Sequence, residues 1–305
     1  MELTRRSFLK YSTVASAGSI LVSSLAHAMT NRRVGIQLFT VQDELSKDTA
    51  GTLKALFDIG YREVETFSVP LIKQHETDAE LKKMINDAGL ENPSAHLPFG
   101  TVETGLVLER AHTLGVKYVV ASTMLPEPFP MDVPKIVARM NTLTVDDWKK
   151  IANNANGIGA KAKAAGFQFA YHNHRHEFRK YGELTGYDVL LAETDPSLVK
   201  LEADCGWMVT AGQNPVSYFE KYPGRYRMIH AKDFAADTPV TTYVDRDAKI
   251  APTEIGRGHI DFKPIIAAAE QSGVDHIFVE QDPPIAGMTS LEAVKISYVN
   301  IRPLV

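Results

Sequence analysis

The segment FQFAYHNHRHEF at residues 167–178 decides the fold, because an apolar run in it turns polar where the run ends. Such a segment is typical of a buried β-strand whose last residues reach the edge of a sheet. Three further segments have the same form: VKLEADCGW at 199–207, RMIHAKDF at 227–234 and HIFVEQD at 276–282. In parallel α/β proteins, this edge is where ligands and metals are held.

Strand-like and helical runs alternate along the rest of the chain. The strand-like runs cover 34–40, 63–67, 92–96, 118–122, 168–174, 199–204, 228–233 and 276–280. The helical runs between them cover 53–59, 78–88, 102–114, 145–165, 187–194, 216–221 and 262–271. Several helical runs end in glycine, as at Gly115 and Gly273, which adopts the left-handed conformation without steric cost. Eight strands, each followed by a helical pattern, predict a single (β/α)8 TIM barrel.

An open doubly wound sheet is the competing fold. It would usually carry a glycine-rich phosphate-binding turn after the first strand. The segment after that strand is VQDEL at 41–45, which contains no glycine. The closed barrel is therefore the favoured fold.

Residues 1–28 have the pattern of an export signal. TRRSFLK at 4–10 is a twin-arginine motif, a mildly apolar stretch follows at 14–25, and AHA at 26–28 is a small-x-small cleavage site. The apolar stretch is too short and too rich in Ser and Gly for a membrane-spanning helix. We expect cleavage after Ala28, export to the periplasm by the twin-arginine route, and no stable membrane insertion of the remaining chain.

The remaining chain, residues 29–305, has the length of one TIM barrel, which takes about 250 residues. The whole sequence has a formal net charge of −4 and a pI near 6.2, so it offers no electrostatic basis for binding nucleic acid. Cys205 is the single cysteine, so an intramolecular disulfide is impossible. Its place in an apolar strand end predicts packing rather than catalysis.

Four candidate metal ligands end successive predicted strands. They are His172, Asp204, His230 and Glu280. A single strand-end histidine is more often a hydrogen-bonded core residue, whereas four donors at one edge predict a metal site. Imidazole and carboxylate together favour Mn, Co, Zn or Fe over Ca or Mg. We therefore expect one divalent metal at this edge.

The motifs YHNHRHEF, LEADCGW, IHAKD, TEIGRGHIDF and VEQD resemble those of the sugar phosphate isomerase/epimerase superfamily, the xylose isomerase-like TIM barrels. The likeness covers nearly all of residues 29–305 and is strongest from Phe167 onward. The His-x-His run on the fifth strand also resembles inosose dehydratases and the epimerases or lyases of 3-keto sugars. The resemblance implies a barrel with a carbohydrate substrate, and such barrels often form homodimers.

Members of this superfamily usually hold one divalent metal through Glu, Asp, His and Glu on strands five to eight. The last three positions match Asp204, His230 and Glu280. The expected Glu of the fifth strand falls on His172 instead. Either His172 replaces the carboxylate, which we favour, or Glu177 swings in. His174 remains an alternative, because residues two apart on a strand face the same side.

Further candidates for substrate binding lie near the same edge: Glu65, His96, Trp207 and Lys232. Glu65 and His96 end the second and third strands, where each could bind substrate, or instead orient a ligand or pair with a loop carbonyl. Trp207 could stack on a sugar or simply pack, and Lys232 could bind a carbonyl or anionic oxygen. Asp233 is expected to orient the histidine of the seventh strand.

Sugar isomerisation, epimerisation and β-elimination share one step, the removal of a proton from the carbon next to a carbonyl. A metal chelated by two adjacent substrate oxygens stabilises the enediolate that forms, and an imidazole or carboxylate takes the proton. Glu177 or His174 is the expected base on one face, and Glu280 serves on the other. We expect an isomerase or epimerase, with a lyase as the second choice.

Export narrows the range of possible substrates, because a periplasmic enzyme meets few sugar phosphates. The sequence also shows no clear phosphate-binding glycine loop. The expected substrate is an unphosphorylated sugar, keto-sugar, inosose or glycoside, with a 3-keto-glycoside as the best match. Two other classes remain: a metal-dependent endonuclease at abasic sites, which export and negative charge disfavour, and a non-catalytic periplasmic sugar-binding protein.

Overall fold

The computed structural model describes residues 33–67, 77–130, 132–245, 249–282 and 287–305. Residues Val34–Leu304 form one structural unit. The predicted export signal at 1–28 lies outside the described residues and stays a prediction.

Eight parallel strands close into one barrel. They are β1 (Val34–Gln37), β2 (Glu63–Phe67), β3 (Glu91–His96), β4 (Tyr118–Ala121), β5 (Gln168–His172), β6 (Val199–Asp204), β7 (Tyr226–Ala231) and β8 (His276–Val279). Their order around the barrel follows the chain, and β1 pairs in parallel with both β2 and β8. The predicted (β/α)8 barrel is confirmed, and the open doubly wound sheet is wrong for this chain.

Apolar side chains from β4, β5, β7 and β8 form one buried cluster. Its members are Tyr118, Val120, Ala170, Met228 and Phe278. Gly35 on β1 allows the ring of Phe278 to lie against the backbone, because a Cβ at residue 35 would be 2.5 Å from that ring. Strand β4 is buried along its whole length, as expected for a parallel strand covered on both faces.

Helices follow the strands along the chain. They are α1 (Gln42–Lys47), α2 (Thr49–Ile59), α3 (Asp78–Asp87), α4 (Thr104–Leu114), α5 (Val133–Met140), α6 (Val145–Ala164), α7 (Gly186–Glu193), α8 (Cys205–Thr210), α9 (Pro215–Lys221), α10 (Phe262–Ser272) and α11 (Ser290–Ile301). As predicted, α4 and α10 end at Gly115 and Gly273 in the left-handed conformation. Across the described ranges, no helix is long and apolar enough to cross a membrane.

Helix α6 shows how side chains fix a helix start. The Asp147 N–H donates to Oγ1 of Thr144 at 3.2 Å, and the Thr144 N–H donates to Oδ2 of Asp147 at 3.0 Å. Arg139 from α5 also donates to Oδ1 of Asp147 at 2.9 Å. This capping box satisfies backbone donors that the helix itself leaves unpaired.

Strands β4 and β8 are one residue shorter than predicted, and two others are shorter by more. Strand β1 ends at Gln37 rather than at residue 40, because Leu38–Val41 forms a 3₁₀ helix that starts with the Phe39 N–H donating to the Gln37 side chain at 3.2 Å. Strand β5 ends at His172 rather than at residue 174. Short apolar runs are compatible with either conformation, so periodicity alone could not separate them.

Candidate metal centre

The four predicted metal donors meet at the C-terminal end of the barrel. They come from the ends of β5 to β8: His172, Asp204, His230 and Glu280. Each offers one ligand atom, and these atoms all lie within 4.8 Å of one another. The side chain of Glu280 is 11% exposed, and the other three are buried. The structure therefore brings the four residues together, while their binding of a metal stays a prediction.

One carboxylate oxygen at the ends of β5 and β6 accepts no hydrogen bond. Nδ1 of His172 lies 2.9 Å from Oε2 of Glu202, and its Nε2 faces Oδ2 of Asp204 at 4.0 Å. Oδ1 of Asp204 accepts a hydrogen bond from the Trp207 N–H at 2.8 Å and so caps helix α8. Oδ2 of Asp204 is buried and accepts no hydrogen bond among the described residues, although Nζ of Lys232 lies 3.7 Å from it. A buried carboxylate oxygen that accepts no hydrogen bond is costly, so this atom is available to a ligand.

The imidazole of His230 is held from both sides. Its Nε2 lies 2.6 Å from Oε2 of Glu65, and its Nδ1 lies 2.8 Å from Oε2 of Glu280. A carboxylate on one ring nitrogen fixes the tautomer and the orientation that the other nitrogen presents to a metal. Glu65 therefore orients His230 so that its Nδ1 points toward Glu280, another of the four donors.

Glu202 is the main site residue that the sequence analysis misses. It is fully buried, and its Oε2 lies 2.7 Å from Nε2 of His96, 2.9 Å from Nδ1 of His172 and 3.4 Å from Nε2 of His230. These four residues form a second possible ligand group that shares two histidines with the first. The sequence spacing could have indicated Glu202, because Glu202 and Asp204 are two residues apart on a strand and so face the same side.

Glu65 does not line the cavity at this end of the barrel. Its carboxylate accepts hydrogen bonds from Gln37 at 2.8 Å and from Ser94 at 2.5 Å, and it lies 3.2 Å from Nε2 of His96. The side chain is completely buried. Of the two roles expected for Glu65, the structure favours orientation of the imidazoles over substrate contact.

A cavity of about 390 Å³ is lined by two of the four donors, His172 and Glu280. His96, Trp207 and Lys232 line it, which agrees with three of the four predicted substrate contacts. Nζ of Lys232 lies 3.1 Å from Oε2 of Glu280 and 5.0 Å from the centre of the Trp207 ring. Asp282, which the sequence analysis does not single out, lies 3.1 Å from the same ammonium group.

The two candidate bases on the β5 side differ in their access to the cavity. His174 lines the cavity, whereas Glu177 does not and is completely buried. Oε1 of Glu177 accepts a hydrogen bond from the Tyr171 hydroxyl at 3.1 Å. Burial raises the pKa of Glu177, with His174 acting in the opposite direction. Glu177 thus stands behind the cavity wall, and direct proton transfer by it stays a prediction.

The expected contact between Asp233 and His230 is corrected by the structure. The carboxylate of Asp233 accepts four backbone N–H groups at 2.9–3.1 Å. The donors belong to Phe234, Gly256, Gly258 and Ile260. Asp233 therefore fixes the shape of the loop after β7, and the orienting role predicted for it belongs to the carboxylates of Glu65 and Glu202.

The charges at the site depend on burial and on close opposite charges. Burial lowers the pKa of His172 to about 4, and burial raises the pKa of Asp204 to about 7 while Lys232 opposes the change. Burial also lowers the pKa of His230, but Glu202 and neighbouring carboxylates outweigh it and raise that pKa well above its usual value. Because metal ligands must be deprotonated, a cation at this group would have to displace the protons that these shifts favour on Asp204 and His230.

Comparisons with known proteins agree with the barrel fold. The family model described as xylose isomerase-like TIM barrel matches residues 53–291. An inosose dehydratase of Lacticaseibacillus casei is 29% identical over 198 residues, which cover 61% of this chain and 65% of that protein. The chain thus matches just under two thirds of the length of that relative.

Solved structures give the same picture at the level of the fold. A sugar phosphate isomerase/epimerase from Parabacteroides distasonis superposes with a TM-score of 0.70 at 26% identity, covering 90% of this chain and 96% of that one. The structure of the IOLI protein with a binding zinc atom superposes with a TM-score of 0.62 at 16% identity, covering 89% of this chain and 97% of that one. At that identity, the second likeness shows the fold alone.

Proposed function

Since the chain belongs to the xylose isomerase-like TIM barrel family, we propose that it is a divalent-metal-dependent enzyme that removes a proton next to the carbonyl of a sugar. The observation that carries the proposal is the buried Oδ2 of Asp204, which accepts no hydrogen bond and lies among four converging donors. We place isomerisation or epimerisation first as the outcome of the reaction. The inosose dehydratase relatives support elimination, the lyase outcome, as the second candidate.

The donor set matches a divalent metal held by His172, Asp204, His230 and Glu280. Two imidazoles and two carboxylates suit Mn, Co, Zn or Fe. The zinc atom of the IOLI structure is consistent with this choice. When bound, such a cation would polarise the substrate carbonyl and stabilise the negative charge that develops on its oxygen.

The residues of the chain itself would move the proton. His174 lines the cavity, where its imidazole would serve as the base. Glu177 lies behind it and accepts the hydrogen bond of the Tyr171 hydroxyl. The ammonium group of Lys232, next to Glu280, would bind the developing oxyanion or a leaving oxygen. In an epimerisation, a proton returns to the same carbon, whereas in an elimination the leaving oxygen takes a proton and departs as water or, where it carries the aglycone, as an alcohol.

The substrate and the compartment follow from the predicted export signal at 1–28. A periplasmic enzyme would act on an unphosphorylated sugar, a keto-sugar or a glycoside, and a 3-keto-glycoside is the best match. The carbohydrate relatives support a small-molecule substrate, and a homodimer is the assembly that we propose.

Metal analysis of residues 29–305 tests the proposal. We expect about one equivalent of Mn, Co, Zn or Fe in the wild type, and little in Asp204→Asn/His230→Gln, whose near-isosteric changes preserve packing. Glu63→Gln is the matched control, because Glu63 pairs with His276 at 2.8 Å at the other end of the barrel. Absence of metal in the wild type, even after reconstitution, would remove the mechanism and favour a sugar-binding protein.

Incubation of metal-loaded protein with 3-keto-sugars in deuterated water separates the two outcomes. An epimerase or isomerase incorporates solvent deuterium into a product of unchanged composition. A lyase gives a product that has lost water or, from a glycoside, the aglycone alcohol. If metal is present and neither hydrogen exchange nor elimination occurs, both outcomes are contradicted.

A further inference from the structure

The two halves of the barrel mouth carry different chemistry. Strands β5 to β8 each end in one of the four metal-donor residues. The segments at or after the ends of β1 to β4 each place one phenylalanine in the cavity lining: Phe39, Phe67, Phe99 and Phe129. We call this set the aromatic half. Because the donor residues occupy the opposite half of the mouth, a ligand that fills the cavity must contact both.

Three of the four phenylalanines are available to a ligand. Phe39, Phe67 and Phe129 are half-buried, whereas Phe99 is 2% exposed. The rings of Phe39 and Phe67 meet edge to face at 5.4 Å between centroids. The ring of Phe99 packs against Phe169 at 5.4 Å and so supports the wall from behind. The aromatic half is therefore a fixed apolar surface, and part of each ring of Phe39, Phe67 and Phe129 is open to the cavity.

Polar groups on the aromatic half are few. Gln37 and His96 line the cavity at the ends of β1 and β3, and their side chains pair with the buried carboxylates of Glu65 and Glu202. The others are the hydroxyls of Thr101, Ser122 and Thr123. The charged lining residues Lys232, Glu280 and Asp282 lie on β7 and β8 or just after them, with the donors. A second sugar ring or a phosphate would have to leave most of its polar groups unpaired against phenylalanine, at considerable cost.

We propose that the aromatic half is an aglycone subsite, and that the substrate is a glycoside whose sugar lies on the donors and whose aromatic group lies against Phe39, Phe67 and Phe129. This inference rests on the proposed function for the position of the sugar. A sugar can stack on a single aromatic ring. Trp207 offers such a ring on the half of the mouth that carries the metal donors, close to Lys232. The phenylalanines on the other side are left for a second, apolar group, with the three hydroxyls suited to phenolic substituents.

Calorimetric titration of the full-length protein with phenyl β-D-glucopyranoside and with methyl β-D-glucopyranoside tests the subsite. We expect the phenyl glycoside to bind about tenfold more tightly, since it buries an aromatic ring that the methyl glycoside lacks. Phe67→Leu and Phe129→Leu should each reduce this preference about threefold or more. Phe57→Leu is the matched control, because Phe57 packs under Arg62 outside the cavity.

The same titration on Asp204→Asn/His230→Gln separates this inference from the proposed function. The preference for the phenyl glycoside should persist there, because the aromatic half does not include the donors. A preference in wild-type protein that holds no metal even after reconstitution would keep the subsite and overturn the metal-dependent mechanism. Equal affinity for the two glycosides, or no measurable binding of the phenyl glycoside, overturns the subsite whatever the metal content.

Discussion

Replacing Glu202 by Gln is expected to weaken metal binding without removing a metal ligand. The change keeps the shape of the side chain and removes its charge. It acts on the bond to Nδ1 of His172 at 2.9 Å and on the contact with Nε2 of His230 at 3.4 Å. A hydrogen bond to a charged group contributes about 1 kcal/mol more than a neutral one, so two such contacts give about 2 kcal/mol.

That energy corresponds to about 30-fold in affinity. It lies within the range of about 10- to 100-fold measured when residues that hold metal ligands are changed. The assay is competition for Zn²⁺ or Co²⁺ against a chelator, together with the absorption spectrum of the Co²⁺ form. Glu63→Gln, which changes a partly buried Glu–His pair at the far end of the barrel, should bind metal as the wild type does.

Two results would refute this reasoning. Unchanged affinity and an unchanged Co²⁺ spectrum in Glu202→Gln would show that Glu202 does not hold the ligands. Loss of metal in His96→Gln would place the cation in the second group, with Glu202 as a direct ligand. Under our proposal, His96→Gln retains metal and weakens substrate binding instead.

Three further predictions concern catalysis, stability and export. His174→Gln should retain its metal and lower the rate of proton exchange with solvent about 100-fold or more, as followed by NMR; an unchanged rate would assign the base elsewhere. Asp147→Ala should lower the free energy of unfolding by about 1 kcal/mol at pH 7 through loss of the α6 cap. Burial raises the pKa of Asp147, but hydrogen bonds from Thr144 and Arg139 outweigh it, so the folded pKa is lowered. The difference between wild type and variant should therefore shrink as the pH falls below about 4 in denaturant titrations, and a constant difference would contradict this account. Changing both arginines of TRRSFLK to lysine should retain the protein in the cytoplasm, as tested by cell fractionation; normal export would remove the twin-arginine prediction.

The barrel was predictable because its signals are local and repeated. Apolar runs with polar ends alternate with helical patterns, and β2 and β6 begin and end at the predicted residues. Short helices were harder to predict. Helix α8 begins at Cys205 because Asp204 both ends β6 and caps the helix. The hydrophobic pattern shows that the strand ends at Asp204, but it does not show that a helix starts there.

The site was predictable to the extent that its residues end strands. Glu202 was missed because it stands inside β6 and acquires its role from three imidazoles that other strands bring to it. Asp233 was misassigned for the converse reason. It is close to His230 in sequence, but its carboxylate is taken up by backbone N–H groups of a loop about 25 residues away. Such pairings depend on tertiary contacts that spacing does not record.

The division of the barrel mouth has an evolutionary consequence. The proposed metal donors and the proposed aglycone subsite lie at the ends of different strands. Selection can therefore act on the residues that determine substrate specificity with little effect on the residues that carry out the reaction. A duplicated copy of this gene could acquire a new substrate through changes at Phe39, Phe67 or Phe129 while its reactive centre stays intact. Directed evolution restricted to the loops after β1 to β4 should accordingly yield many folded, metal-competent variants.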